Sequence, residues 1–278
     1  MKDLMHFLRR NTLAAVGGTI LGLLLLAVLV GPYFAASPIA IDMQAKLLPP
    51  GPGHWLGTDS FGRDMLARIL HGGRYTLAIG ILVVGIAFVI GVFFGVIAGF
   101  TGGWIDTLIM RFVDAMLSFP ALVLAIALAA AFGPSLENAM IAVAITLAPQ
   151  FARVARSQAL AVSARLYVDA AHALGLPRRR ILLRYVVINA IGPLLVQASL
   201  NVGSAILQTA SLGFLGLGAQ PPMAEWGADV SANLAFARSS PWTALGPGFA
   251  ILLAVLSFNL IGDALADWFN PRRRSQIA

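Results

Sequence analysis

The chain has 278 residues, of which 59% are hydrophobic and only 11% carry a charge. Soluble domains usually carry about 25% charged residues, so a mean hydropathy of +0.84 excludes an ordinary soluble globular protein and favours one polytopic membrane domain. The absence of cysteine excludes disulfides and thiolate chemistry, and the net charge of +7 raises the question of nucleic-acid binding.

Residues 1–34 predict a short basic tail followed by the first transmembrane helix. Residues 1–11 are expected on the cytoplasmic side, and residues 12–34 are almost entirely apolar. A helix needs about 20 apolar residues to cross the hydrocarbon core of a bilayer. A cleaved signal peptide is disfavoured, because the run is longer than a signal core and the rest of the chain is equally apolar.

Residues 35–74 form the first long polar segment and are predicted to lie on the outer side of the membrane. Residues 56–64 read LGTDSFGRD. Gly57 and Gly62 permit tight turns, and Asp59, Arg63 and Asp64 can pair locally. We expect a packed structural motif here; the alternative is a solvated surface loop with ordinary ion pairs.

Residues 75–268 are predicted to form a core of five further membrane helices. Pro120 is expected to kink the third span of the chain, in which Arg111 and Asp114 can pair on one helix face. The five spans are predicted over residues 75–100, 108–132, 137–154, 188–217 and 245–268.

Three glycines of the second span, Gly91, Gly95 and Gly99, recur every four residues. This spacing puts them on one helix face, and such ridges of small residues allow membrane helices to pack closely. The pattern predicts helix packing rather than a ligand site.

The arginine-rich residues 160–188 predict a helix, a break and a second helix. Ser163 can cap a short helix over residues 164–174, and Gly175 suits the left-handed residue that often ends a helix. Pro177 suits the first turn of the next helix. We expect an elbow that projects from the membrane, with small side chains that let another protein approach closely.

A polar stripe runs along the fifth span. Its members are spaced 4, 3, 4 and 3 residues apart, so they fall within an arc of about 80° on a helix. Two interpretations remain open: the stripe lines a water-filled path, or it forms hydrogen bonds between helices. The stripe consists of Gln197, Asn201, Ser204, Gln208 and Ser211.

Motifs along most of the chain resemble the permease subunits of ATP-binding-cassette (ABC) importers, in the branch that transports dipeptides, oligopeptides and nickel. Asp169-Ala170-Ala171 followed by Gly175 resembles the EAA loop of that family, although aspartate replaces the usual glutamate. The LGTDSFGRD run and the end of the last span resemble two further family signatures, and the resemblance covers about residues 9–274. The residues that carry these two signatures are Gly57, Thr58, Asp59, Gly62, Arg63, Asp64, Asn259, Gly262 and Asp263.

This resemblance implies an all-α polytopic membrane protein with six transmembrane helices, the type I ABC importer permease fold. It also implies a second, homologous permease in a heterodimer, two ATP-binding subunits that hold ATP and magnesium, and an extracytoplasmic substrate-binding protein. The coupling loop, residues 160–188, is expected to contact the ATPases through Asp169, Ala170, Ala171, Gly175, Arg178 and Arg179. The translocation path is expected to include Gln197, Asn201, Ser204 and Gln208.

The implied function is ATP-driven import of dipeptides or short oligopeptides. Nickel chelates and glutathione are alternative substrates within the same family. A stand-alone secondary transporter or channel is the alternative from another class, but such proteins often contain two similar halves, and no internal repeat is evident.

The basic residues predict the orientation of the chain. Lys and Arg total nineteen, and only Lys46, Arg63, Arg68, Arg74 and Arg238 fall in segments assigned to the outer side. Because positive charge concentrates on the cytoplasmic side, both termini (including residues 269–278) and the elbow are expected inside a bacterial or archaeal plasma membrane. This distribution explains the net charge without nucleic acid.

The sequence contains no recognisable catalytic constellation. Neither lysine follows a GxxxxG stretch, so no phosphate-binding loop is expected, and the four histidines lack metal-ligand spacing. A membrane-embedded enzyme would have to use Asp263 and Asp267, which are better interpreted as charges at the inner mouth. We therefore expect a transport subunit with no metal and no cofactor of its own.

Overall fold

The structure is a computed structural model that describes residues 12–269. The predicted cytoplasmic N-terminus, residues 1–11, and most of the predicted tail, residues 270–278, lie outside the described residues. The described part is helical and contains no β-strand. Its α-helices are α1 Thr12–Val30, α2 Met65–Thr101, α3 Gly103–Leu117, α4 Ala121–Phe132, α5 Leu136–Ser163, α6 Leu166–Ala173, α7 Arg178–Ile181, α8 Ile188–Phe214, α9 Trp226–Asn233 and α10 Trp242–Phe269.

The described helices provide five candidate membrane spans, or six, the predicted number, if one bent helix pair is a single span. Five are single stretches long and apolar enough to cross a bilayer. The sixth is the pair α3 and α4, which are bent by 92° around a short break. The five stretches are Thr12–Tyr33, Met65–Thr101, Leu136–Ser163, Arg178–Phe214 and Trp242–Trp268.

Helix α2 is longer than the sequence pattern indicates. It begins at Met65, ten residues before the predicted start of the second span, and Asp64 caps it by accepting a hydrogen bond from the Ala67 N–H at 2.7 Å. Its 37 residues span about 55 Å, against about 30 Å for a hydrocarbon core. Residues 65–74, the first turns of α2, therefore fall in the segment predicted to lie outside, and the helix extends beyond the predicted second span.

Helices α2 and α5 pack through the predicted glycine ridge. A Cβ atom added at Gly95 would lie 2.2 Å from the carbonyl oxygen of Ala152, and one at Gly91 would lie 2.4 Å from that of Ala148. Such distances leave no room for any side chain, so the two backbones are in direct contact. The ridge is a packing surface, as predicted, and α5 is the most buried of the spans.

The break between α3 and α4 is sharper than the predicted kink at Pro120. Helix α3 ends at Leu117, and Pro120 precedes the first residue of α4. The predicted pair of Arg111 with Asp114 is absent; Asp114 instead accepts a hydrogen bond from Arg153 of α5 at 2.5 Å. Asp114 of α3 is thus paired with a residue of α5, the helix packed against it, instead of with its neighbour in sequence.

Helix α8 is enclosed on three sides and α1 is peripheral. Helix α8 contacts α2, α5 and α10, whereas α1 packs mainly against α10. The α1 contact depends on Gly17, where an added Cβ would lie 2.7 Å from the Cβ of Leu260. The polar stripe lies at the margin of this packed surface: Asn201 is buried, Gln197, Gln208 and Ser211 are partly buried, and Ser204 is exposed.

Candidate functional site

The elbow between α5 and α8 has a complete glycine-terminated helix end. Gly175 has a φ of +73°, which glycine adopts without steric cost. Its N–H donates to the His172 carbonyl at 2.9 Å, and the Leu176 N–H donates to the Ala171 carbonyl at 3.2 Å. These two bonds form a Schellman motif, which stops α6 and turns the chain.

The predicted start of this helix is wrong. Ser163 is the last residue of α5, and α6 begins three residues later at Leu166. The residue before it, Arg165, provides no side-chain cap. Continuous helical hydrogen bonding through Ser163 removes the break that its capping role would have required.

One face of α6 is buried within the chain. Val168 and Ala171 pack with Ile181 and Val186 and with the inner end of α5 in a small apolar cluster. Ala171 is only 3% exposed. The prediction that Ala171 contacts another protein is therefore corrected. Its side chain is packed inside this chain and helps to hold the elbow in place.

The opposite face of α6 and the following turn are exposed. Leu166 is 85% and Leu174 80% exposed, more than any other leucine among the described residues. The remaining members of the predicted coupling site share this exposed surface: Asp169, Ala170, Gly175, Arg178 and Arg179. We name the exposed residues Leu166, Asp169, Ala170, Ala173 and Leu174 the elbow face.

A π-helical segment, Leu182–Val187, joins the elbow to α8, and no residue pattern predicted it. The segment belongs to one continuous helical run from Arg178 to Phe214. The side-chain amide of Asn189 donates to the carbonyl of Tyr185 at 2.6 Å, and the Tyr185 ring stacks on Tyr167 of α6. π-Helices are rare, and those inserted in α-helices are frequently found at functional sites.

The polar stripe is barely satisfied within the described chain. Gln197 donates to the Asn201 side chain at 3.4 Å, along the same helix. Asn201 is buried, yet its Nδ2 has no partner, and the same holds for Oε1 of Gln208. Ser204 is exposed. The stripe makes no described hydrogen bond to another helix, so intrachain bonding between helices does not account for it.

The LGTDSFGRD run forms the packed motif that was predicted. Asp59 is fully buried and accepts a 2.6 Å hydrogen bond from the Arg63 Nε. Its other oxygen accepts the backbone N–H groups of Phe61 and Arg63. The Thr58 hydroxyl donates to the Ala45 carbonyl and accepts the Leu48 N–H, which ties the preceding loop to the motif.

Asp64 does not join the predicted Asp59–Arg63 pair. One oxygen caps α2, and the other lies 2.9 Å from Nδ1 of His54. Gly57 and Gly62 both have a φ of +73°, in agreement with the tight turns expected there. The motif builds a rigid corner at the start of α2 rather than a site with free chemical groups.

A buried ion pair fastens α9 to α2, and sequence reasoning missed it. Arg68 of α2 binds Asp229 of α9 at 2.5 Å, and both side chains are almost fully buried. Burial raises the pKa of Asp229 to about 6, although Arg68 opposes this shift. The partners are 161 residues apart, so no local pattern pointed to the pair.

The neighbouring Glu225-Trp226 dipeptide completes this anchor. Glu225 caps α9 by accepting the Ala228 N–H at 2.8 Å and also accepts the Thr76 hydroxyl at 3.0 Å. Trp226 is fully buried, covers Gly73, and donates from its indole to the Ile69 carbonyl. An unbroken Glu-Trp-Gly run in a polar loop was the available signal.

The closing motif contributes packing at the inner end of α10. An added Cβ at Gly262 would lie 2.6 Å from Leu200 of α8, and the Asn259 side chain lies beside Gly203 of α8. Asn259 and Asp263 are exposed. Within residues 12–269, no group of three or more His, Cys, Asp or Glu side chains is placed to hold a metal ion.

An open groove of about 440 Å³ lies between α2, α3 and α5. Its lining is entirely apolar and includes Phe94, Phe112 and Pro149. A peptide or metal chelate needs polar partners to replace its water. The polar stripe, not this groove, is therefore the candidate path.

Comparisons with known proteins agree on the class of this molecule. Residues 91–275 match the family described as binding-protein-dependent transport system inner membrane component, and residues 1–50 match the N-terminal transmembrane domain of oligopeptide transport permease C. The chain is 45% identical to the dipeptide transport system permease protein DppC of Alkalihalophilus pseudofirmus, over 96% of this chain and 88% of that protein.

Two further similarities extend this result. The chain is 46% identical to the probable D,D-dipeptide transport system permease protein DdpC of Escherichia coli, over 97% of this chain and 91% of that protein. Its fold matches a chain of the inward-facing MetNI methionine ABC transporter with a TM-score of 0.61 at 17% identity, covering 74% of this chain and 98% of that one.

Proposed function

We propose that this chain, which belongs to the family of binding-protein-dependent transport system inner membrane components, forms half of an import path for dipeptides or short oligopeptides. It is a permease subunit of an ABC importer, a transport component rather than an enzyme. The fold is that of a type I importer permease. ATP and magnesium belong to separate ATPase subunits in this proposal.

The elbow face is the observation that carries the coupling role. Leu166 and Leu174 expose large apolar side chains, while the opposite face of the same helix is packed on the chain. Exposed apolar surface next to a basic cluster suits a protein partner. An ATPase subunit whose groove has apolar walls and an acidic rim would complement the elbow face together with Arg178 and Arg179.

The stripe on α8 supports the path. Ser204 is exposed, whereas Nδ2 of Asn201 and Oε1 of Gln208 are buried and have no partner among the described residues. Polar groups in a membrane are costly unless they meet water or another polar group. A second permease across this face would enclose a path lined by neutral hydrogen-bonding groups.

Dipeptides and short oligopeptides are the first substrate class, because both relatives named above are dipeptide permeases. Glutathione and nickel chelates are the alternatives. We assign substrate selection mainly to an extracytoplasmic binding protein, and we place the permease heterodimer in a bacterial inner membrane with both termini inside.

The test is affinity purification of the tagged chain from its native membrane, with and without Ala170→Glu. Ala170 lies on the elbow face and makes no buried contact, so glutamate there should leave the chain inserted. We expect the wild type to recover two ATPases and a second permease, and Ala170→Glu to recover at least tenfold less ATPase. Peptide uptake should fall in parallel.

Two controls separate docking from folding. Ala161→Glu changes an exposed alanine of α5 outside the elbow face and should retain the ATPases. Ala171→Glu should disrupt the elbow itself, because the glutamate would be buried among apolar side chains. Recovery of a stable homo-oligomer without ATPases would favour a stand-alone transporter or channel instead.

A further inference from the structure

The π segment Leu182–Val187 lies where two separately packed parts of the chain meet. Ile181 and Val186 are buried with α6 and the inner end of α5. A few residues later, Ala190 and Leu194 are buried against α2 and α5. The side chains before the junction thus belong to the elbow, and those after it belong to the membrane core.

Helices α5 and α8 connect the elbow to the core in different ways. Helix α5 is α-helical throughout, with Ala155 packed against the core and Ala159 packed in the elbow cluster. Helix α8 reaches the elbow only through the π segment. A displacement of the elbow is therefore transmitted directly by α5, whereas α8 has an adjustable joint.

The hydrogen-bond ladder around this joint differs from that of a regular α-helix at two further places. The Tyr185 carbonyl accepts the side-chain amide of Asn189 at 2.6 Å, a bond that supports the wide turn. Pro193, inside α8, has no N–H, so the Asn189 carbonyl lacks its usual ladder donor. The stack of Tyr185 on Tyr167 links the joint to α6.

We propose that the π segment is a register joint, which converts to α-helical hydrogen bonding when the elbow is displaced and thereby turns α8. A π-helix closes its rings over one more residue than an α-helix. Taking up that residue turns the following helix by about 100° and moves it about 1.5 Å along its axis. This inference rests on the proposed coupling role of the elbow.

The size of this rotation gives the joint a function. The polar stripe covers an arc of about 80° on α8, so a turn of about 100° replaces the whole stripe by a neighbouring face. The flanking positions are apolar, with Leu207 on one side and Ala205 on the other. The path would change from polar to apolar walls, which releases a polar solute held by Asn201, Ser204 and Gln208.

The chain has no cysteine, so single cysteines report directly on the face that meets water. We would introduce Ser204→Cys, Ala205→Cys or Leu207→Cys and purify each complex with its ATPases in lipid nanodiscs. The rate of modification by a charged, membrane-impermeant thiol reagent is measured without nucleotide and with a non-hydrolysable ATP analogue. Mass spectrometry of this chain alone excludes labelling of partner cysteines.

A register joint predicts an exchange of faces. Ser204→Cys should react at least tenfold more slowly with the nucleotide analogue, while Leu207→Cys or Ala205→Cys reacts at least tenfold faster. A rigid tilt of α8 would instead change the positions together and keep their rank order. An unchanged rank order in a complex that contains its ATPases would overturn the joint but leave the proposed function standing.

Deletion of Leu183 provides a second test. Leu183 is exposed and lies in the π segment, so its removal takes out the extra residue without removing a buried side chain. We expect the deletion to show the nucleotide-bound cysteine pattern in all conditions, and Leu183→Ala to behave as the wild type. A normal nucleotide response in the deletion would also overturn the joint. If the deletion does not assemble, the rank order in the full-length chain decides the question.

Discussion

Gly62 has no room for a side chain and no conformation suited to one. Its φ is +73°, and an added Cβ would lie 1.7 Å from the Asp42 carbonyl oxygen. The Asp42 N–H also donates to the neighbouring Phe61 carbonyl at 3.2 Å, and this bond holds the two loop segments together. The glycine is thus required by space as well as by backbone geometry.

Gly62→Ala should destabilise the outer corner by several kcal/mol, whereas Gly53→Ala should cost about 1 kcal/mol. Both glycines have positive φ, but an added Cβ at Gly53 meets nothing within 4 Å. The difference therefore isolates the clash from backbone strain. Thermal unfolding in detergent measures both, and equal losses would show that the Asp42 backbone moves aside freely.

Asp229 makes the stability of the contact between α2 and α9 depend on pH. Its side chain is 1% exposed, and its Oδ2 has no hydrogen-bond partner among the described residues. Desolvation raises its pKa from 3.8 to about 6; Glu225 adds to this shift, while Arg68 and Arg63 oppose it. Between about pH 4 and pH 6 the folded state therefore binds more protons than the unfolded state, so the free energy of unfolding falls as pH rises.

We expect the titration of Asp229 to lower the free energy of unfolding by about 3 kcal/mol between acidic and neutral pH. The unfolding temperature of the wild type should fall from pH 5 to pH 7 more steeply than that of Asp229→Asn, which cannot titrate. Asp42→Asn, at an exposed position of the outer segment, should keep the slope of the wild type. A slope unaffected by Asp229→Asn would mean that Arg68 keeps the carboxylate charged throughout.

At the scale of elements, the contact between α2 and α5 is set by backbone proximity. Gly91, Gly95 and Gly99 face the carbonyl oxygens of Ala148, Ala152 and Arg156. Dispersion between close backbones, rather than burial of large side chains, stabilises such contacts in lipid. Along this ridge, α2 therefore tolerates only small residues.

Gly95→Val should separate α2 from α5 and prevent stable accumulation of the chain in the membrane. Gly85→Val, in the same helix, should be tolerated, since an added Cβ at Gly85 meets nothing within 4 Å. The amount of folded chain after detergent extraction, compared by size-exclusion chromatography, measures the effect. Similar losses in both variants would point to helix propensity instead of packing.

The elbow illustrates the limit of local patterns at the same scale. Gly175 and the helix end were predictable, because the chemistry of a helix terminus is local. The burial of Ala171 was not predictable, because a helix of eight residues contains too few apolar residues to indicate which face is buried. That choice depends on Ile181 and Val186, which reach α6 only after the chain has turned.

At the scale of the whole molecule, the six spans and the arginine distribution predict that both ends of the chain lie in the cytoplasm. Alkaline phosphatase fused after residue 278 should be inactive, because it folds only outside, and a fluorescent protein fused there should be bright. Fusion after residue 56, in the outer segment, should give the opposite pair of signals. An active phosphatase at residue 278 would require that α3 and α4 together do not cross the membrane.

The sequence by itself determined the class of the molecule, its long apolar helices, the helix break at Gly175 and the packed outer motif. These features follow from local quantities: the length of apolar runs, the spacing of glycines and the turn chemistry of Gly57, Gly62 and Gly175. A bilayer excludes unpaired backbone groups, so a long apolar run has few alternatives to a helix. The resemblance to importer permeases rested on motifs of the same local kind.

The tertiary structure alone decided which groups meet across the fold. Asp114 pairs with Arg153 rather than with nearby Arg111, and Arg68 with Asp229, because helix crossings bring together residues far apart in sequence. The π segment also depends on the tertiary structure, since one helix joins two separately packed units, the elbow and the membrane core, whose helical registers differ in this structure. Local propensity cannot encode that mismatch, because it arises only when both ends of the helix are already packed.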